Sequence, residues 1–217
     1  MRGVFVTGTG TEVGKTVVAA VIAHTAASHE RRVSVFKPAV SGLDQPGEAD
    51  HELLRRAAGS EQDDDQIAPY RYGPPVSPHL AADLAGERIQ PERLLAGARA
   101  AGEGAELLVC EGVGGFLVPL TPDYLVRDLA RELALPVVIA ASPGLGTINH
   151  TLLTIESVRA AGLEVVAVAL SPWPPEPTVM EQSNRETIAR LGQVPIELIP
   201  QIDPERTKTW PAVELEL

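Results

Sequence analysis

Apolar residues along this chain come in two alternating kinds of segment. Short continuous runs, such as Val4-Phe5-Val6 and Leu107-Leu108-Val109, read as buried strands over 3–7, 33–37, 106–111, 136–141, 164–170 and 195–199. Helical patterns separate them near 15–28, 50–58, 91–101, 125–134, 148–161 and 180–191. The alternation predicts an α/β fold with a doubly wound, mostly parallel sheet, in one domain over 1–217. In such a sheet right-handed crossovers gather the loops after the strands into one crevice, so motifs far apart in sequence share a site. Gly59 to Pro78, with the run Asp63-Asp64-Asp65 and four prolines, reads as a long surface excursion whose carboxylates are solvated rather than metal-binding. There is no internal repeat, and the proline-rich Ser171 to Pro177 is too short to be a linker.

The first strand runs into TGTGTEVGKT, Thr7 to Thr16, and the apolar residues after it are too continuous for an exposed helix. A glycine loop between a buried strand and a buried helix is a phosphate cradle, a dinucleotide turn or a plain bend. Lys15-Thr16 directly after Gly14 favours the cradle, because phosphate binding needs loop N–H groups, an ammonium for the terminal phosphates and a hydroxyl for Mg²⁺. The loop is one residue longer than the usual spacing, with Thr9 where the first glycine is expected. A dinucleotide site would want glycine at Val13 and an acidic residue closing the next strand, which instead ends in Lys37. The fold expected is therefore that of a P-loop nucleoside triphosphate-binding protein.

Other chemistry clusters at strand ends. Lys37 begins KPAVSG, where Pro38 blocks helix continuation and Ser41 brings a hydroxyl to the crevice; a surface lysine before an ordinary turn is the competing reading. Glu111 closes an apolar strand before Gly112, Gly114 and Gly115, the usual position for a carboxylate serving nucleotide-bound Mg²⁺. Asp50 stands at the start of a helix, as N-cap, metal ligand or both, with Glu48 a weaker competitor. In the loop from Ala141, Thr147 or Asn149 is positioned to cap the following helix, while His150 reads as packing or surface rather than as a base. The remaining histidines show no metal-ligand spacing.

A chain of 217 residues with 44% hydrophobic content can bury a sizeable core. Its 18 Lys plus Arg against 29 Asp plus Glu, net −11, argue against nucleic acid or an anionic membrane as partner. The single cysteine, Cys110, follows an apolar run and reads as a core residue in a reducing compartment. With neither a leader-like N-terminus nor a membrane-length apolar run, the expectation is a cytoplasmic enzyme.

TGTGTEVGKT, FKPAVSG, CEGVGG and LGTINHT, in that order and with SPHLAA between, resemble the dethiobiotin synthetase family of biotin biosynthesis over most of the chain up to Pro204. The resemblance implies a homodimer that uses Mg-ATP and CO2 to close a cyclic urea on 7,8-diaminononanoate, giving dethiobiotin, ADP and phosphate. It implies Lys37, Lys15 and Thr11 as catalytic residues, and Thr16, Asp50 and Glu111 around Mg²⁺. Glu12, Val13, Gly14, Lys15, Thr16, Val17, Asp50 and Glu111 with Gly112, Val113 and Gly114 would surround the nucleotide, and Ser41, Gly115 and Asn149 the diamine substrate. Members often read adenine with an asparagine after the fifth strand. Here that loop is Ser171-Pro172-Trp173, leaving backbone around Ser171, Pro172, Pro200, Gln201 and Ile202 to hold the base and other nucleoside triphosphates as possible co-substrates. The competing class is a nucleotide-switched, partition-type ATPase, which carries a second lysine early in the phosphate loop; Gly8 to Glu12 has none. A glutamine-dependent amidoligase would need a further domain and a nucleophilic cysteine.

Overall fold

The computed structural model of the protein describes residues 1–213 and Leu215; positions 214, 216 and 217 of the expected single domain lie outside the described residues. Six strands form one parallel sheet: β1 (Gly3–Gly8), β2 (Val33–Phe36), β3 (Leu107–Glu111), β6 (Val137–Ala141), β7 (Val165–Trp173) and β8 (Ile196–Pro200), in the order β2-β3-β1-β6-β7-β8. A small antiparallel hairpin, β4 (Pro119–Thr121) with β5 (Tyr124–Leu125), follows β3. The helices are α1 (Lys15–Ser28), α2 (Asp50–Ala58), α3 (Asp64–Ile67), α4 (Pro78–Ala85), α5 (Pro91–Gly102), α6 (Val126–Leu133), α7 (Thr147–Ala160) and α8 (Val179–Gly192), with a 3₁₀ turn at Thr207–Thr209. The expected strands and helices are present to within a residue or three at their ends.

Strand alternation divides the core in two. Val4 and Val6 face α1 and α2, with Leu54, Val109 and Ala140. Phe5 faces the other way, with Phe36, Leu108, Cys110 and Ile139, under residues of α4, α5, α6, α7 and α8. Val18 to Ala23 of α1 are all buried, which explains a run with little polar face: α1 lies between the sheet and α2. Strand order diverges around β1, whose neighbours β3 and β6 lead to opposite edges, so the crevice lies above the C-terminal end of β1. No described helix is long and apolar enough to cross a membrane.

Gly59 to Pro78 departs from the expected surface excursion, for a physical reason. β2 is an edge strand whose backbone groups need partners. The Gln62 carboxamide supplies them, accepting from Val35 N at 2.8 Å and donating to Val35 O at 3.0 Å. Lys37 N donates to Ile67 O, and Val40 N to Tyr70 O, so Ile67, Tyr70 and Tyr72 become core. The aspartates are committed too: Asp63 caps α3, Asp64 pairs with Arg55 at 2.5 Å and Asp65 with Arg71 at 2.8 Å.

Beyond Pro204 the chain turns back over the α1 side of the sheet. Trp210 and Val213 are buried there, Trp210 Nε1 donates to Asp203 O at 2.8 Å, and Val213 N donates to Thr25 Oγ1 of α1 at 3.1 Å.

Candidate active site

The glycine loop is built by backbone geometry. Thr9 N donates to Ala140 O at 3.0 Å, which carries the pairing with β6 just past the end of β1. The chain then reverses through Glu12 and Gly14, both left-handed at φ 58° and 82°. A Cβ on Gly14 would also stand 3.1 Å from Ser171 Oγ, so this glycine answers both the turn and the close approach of β7. Gly14 is the N-cap of α1 and no side chain caps that helix, leaving its first N–H groups directed at the cleft. The stem of Lys15 lies over Gly8, and its ammonium donates back to Gly10 O at 2.6 Å.

Beside the loop sits a buried charge cluster. Lys37, directly after β2, is 3% exposed, and Glu111, the last residue of β3, is 0% exposed. Lys37 Nζ is 2.5 Å from Glu111 Oε1 and 2.7 Å from Asp50 Oδ2, and Thr16 Oγ1 donates to Glu111 Oε1 at 2.9 Å. Burial opposes the charge of Lys37, but Glu111 and Asp50 outweigh it and hold its pKa above the usual lysine value. Burial likewise opposes ionisation of Asp50, and Lys37 outweighs it, so the carboxyl lies below its ordinary range. For Glu111 burial wins over Lys37 and pushes the carboxyl up, while burial pushes Lys15 down. Lys37 is thus held by two carboxylates, whereas Lys15 is held by the Gly10 carbonyl.

Glu111 Oε2 is buried and has no hydrogen-bond partner among the described residues. Such an oxygen is costly unless something completes it. With Thr16 Oγ1 and Asp50 alongside, the donor set is a hydroxyl and two carboxylates, all hard oxygens suited to Mg²⁺. No group of three or more His, Cys, Asp or Glu that could hold a metal occurs among the described residues, so a cation here would draw its remaining ligands from phosphate and water.

These groups line a cleft of about 350 Å³. Of the residues singled out from sequence, Thr11, Glu12, Gly14, Lys15, Thr16, Val17, Lys37, Ser41, Asp50, Glu111, Val113 and Gly114 face it. Val13 packs behind the loop over Gly8, Gly112 sits against Val126 and Phe5, and Gly115 approaches Gly8 O to the 3.7 Å a Cβ would leave. Ser171 is buried against Gly14, whereas Pro172, Pro200 and Gln201 are exposed at the ends of adjacent strands β7 and β8. The side chain of Ile202 belongs to the core, so only its backbone is available there. Asn149 is exposed on α7 and does not line the cleft.

Two expectations are corrected. Asp50 is not an N-cap: Ala49 is, and Asp50 is the first helical residue, its carboxylate drawn to Lys37. Neither Thr147 nor Asn149 caps α7, because left-handed Gly146 does so and both lie inside the helix. Sequence reasoning also missed Asn184 of α8, which donates to Pro143 O and Gly144 O at 2.9 and 3.1 Å and so braces the loop after β6. A polar residue on a buried helical face was the available signal.

A strand, a glycine loop with Lys-Thr opening a buried helix, and a carboxylate at the end of the neighbouring strand define a P-loop nucleotide-binding protein. Residues 2–211 match the AAA domain family. The chain is 39% identical over 197 residues to the ATP-dependent dethiobiotin synthetase of Bacillus subtilis subsp. natto, covering 90% of this chain and 85% of that one. It is 42% identical over 202 residues to that of Anaeromyxobacter dehalogenans, covering 92% and 90%. The chain belongs to the dethiobiotin synthetase family. Among solved structures, the ParA family ATPase from Chlorobium tepidum TLS superposes with a TM-score of 0.58 at 13% identity over 96% of this chain and 88% of that one, a likeness of fold alone.

Proposed function

We propose that the protein, as one P-loop domain, catalyses ATP-dependent closure of a cyclic urea on 7,8-diaminononanoate with CO2, releasing dethiobiotin, ADP and phosphate. The observation that carries this is the convergence of Lys15, Lys37, Thr16, Asp50 and Glu111 in one cleft, with a buried carboxylate oxygen unpartnered among the described residues. One substrate amine adds to CO2 and loses a proton, giving a carbamate. A carbamate oxygen then takes the γ-phosphoryl group as ADP leaves, and the second amine attacks the carbamoyl carbon, expelling phosphate and closing the ring.

Each stage carries negative charge, so positioned cations and N–H groups do most of the work. Lys15 and the loop N–H groups hold the β- and γ-phosphates. Lys37 stabilises the carbamate and the phosphoryl group in transit, with its charge maintained by Glu111 and Asp50. Thr11 closes the cleft above the reacting groups, and Ser41 and Gly115 receive the diamine end. Mg²⁺, when bound with the nucleotide, neutralises the phosphate charge; Thr16, Asp50 and Glu111 would hold it. Backbone at Ser171-Pro172 and Pro200 to Ile202 takes the base, with Asn149 and the start of α7 toward the substrate carboxylate.

A homodimer is supported by Leu117, Leu145 and Leu153, exposed on the loop after β3 and on the loop and helix after β6, where Leu145 is 92% exposed. The reading is of a cytoplasmic enzyme acting on small molecules, and the acidic charge balance supports the absence of nucleic acid and anionic membrane partners. The test is phosphate release with Mg-ATP and bicarbonate, with and without diaminononanoate. Diamine-dependent release is expected; release indifferent to the diamine would remove the proposal.

A further inference from the structure

The loop after β2 presents one side chain that the mechanism above does not use. Gln45 faces the phosphate cleft with Lys37, Ala39 and Ser41, and it also lines a second hollow of about 490 Å³ that shares Ser41 and Asp50 with the cleft. Gln45 is exposed, and its carboxamide makes no hydrogen bond with another described residue. The backbone beneath it is braced: Gln45 N donates to Gly42 O at 2.9 Å, and Gly42, Leu43 and Asp44 donate to Pro74, Tyr72 and Gly73 carbonyls at 3.1 Å each. An uncommitted amide is thus carried into the cleft on a tied turn.

Sheet order says which substrate it meets. The phosphate loop follows the central strand β1, while β7 and β8, which border the nucleotide on the Ser171 side, lie toward one edge; β2 and Gln45 lie at the other. Gln45 is therefore directed to the second substrate, on the Ser41 side of the phosphates. That end of the substrate presents a carbamate, which accepts hydrogen bonds, next to an amine, which donates one and must stay unprotonated to attack. A neutral carboxamide offers both halves of the match, Nε2–H donating to a carbamate oxygen and Oε1 accepting from the amine. A carboxylate in its place would repel the carbamate and favour the unreactive ammonium.

We infer that Gln45 is a specificity-determining residue that binds the carbamate and free amine of the diamine substrate. This rests on the function proposed above. The experiment is steady-state kinetics of Gln45→Ala and Gln45→Glu against the parent enzyme, with diaminononanoate and ATP varied separately. Gln45→Ala should raise KM for diaminononanoate about tenfold, the size of one or two neutral hydrogen bonds, with KM for ATP within about twofold. Gln45→Glu should add a fall in kcat beyond that of Gln45→Ala, and Gln45→Asn should recover part of the affinity. An unchanged diamine KM, equal kinetics for Ala and Glu, or parallel rises in both KM values would overturn the inference. Absence of diamine-dependent turnover in the parent enzyme would instead overturn the function proposed, and so the two failures are distinguishable.

Discussion

The two ends of the crevice are built on opposite plans. At the phosphate end, half-buried Asp50 and Thr16 join buried Lys37 and Glu111 in a network in which each charge has a partner within hydrogen-bond distance. At the end bordered by β7 and β8, Ser171 is packed against Gly14, Ile202 faces the core, and Pro172 and Pro200 bring no donor side chain. Charge stabilisation in a low-dielectric cleft demands particular side chains at fixed separations. Contact through backbone makes no such demand, and it discriminates weakly between bases that offer similar edges and ring faces. The enzyme should therefore be strict about the phosphoryl chemistry and tolerant of the nucleotide's base.

That contrast can be broken at several strengths. Lys37→Ala should lower kcat about 10²–10³-fold, as losing a principal transition-state donor does, while nucleotide binding persists; near-normal turnover would take Lys37 out of the chemistry. Lys15→Ala should weaken ATP binding by about 10–100-fold in calorimetry, the range for a charged hydrogen bond, and unchanged affinity would undo the phosphate assignment. Glu111→Ala strips Lys37 of its buried partner but leaves Asp50. It should cost about 2 kcal/mol in urea unfolding, below the range for a fully broken buried pair, and raise the Mg²⁺ needed for turnover. Changes at the other end should be smallest: Ser171→Ala should alter kcat/KM by less than about threefold, and ATP, CTP and GTP should rank within about tenfold, under 1.4 kcal/mol. A strong preference for one nucleotide would show that base reading there is stricter than the side chains suggest.

Legibility in the sequence follows the same division. Lys15-Thr16 stand out because they join a glycine loop to an apolar helix, and Lys37 and Glu111 because each is a charged residue ending or following an apolar strand. The partnership of Lys37 with Asp50 was hidden, since a helix start is sufficient reason for an aspartate and it takes the packing of α2 against β2 and α1 to bring the two to 2.7 Å. The segment after Gly59 misled because its polar composition resembles a solvated loop, when the need of edge strand β2 for partners turns Gln62, Tyr70 and Tyr72 inward. Gln45 gave no signal at all: a glutamine between Asp44 and Pro46 is ordinary turn composition until the topology sets it on the cleft that Lys37 lines.

The fastening of Val213 to Thr25 joins positions 188 residues apart, and Trp210 meets His24 edge-on with ring centres 5.3 Å apart. α1, which opens with Lys15, thus receives part of its cover from residues far along the chain. Until those residues pack, part of an alanine- and valine-rich surface stays open to water and to other chains. Completion of the helix that carries the glycine loop's lysine is then set by long-range closure rather than by the local loop sequence.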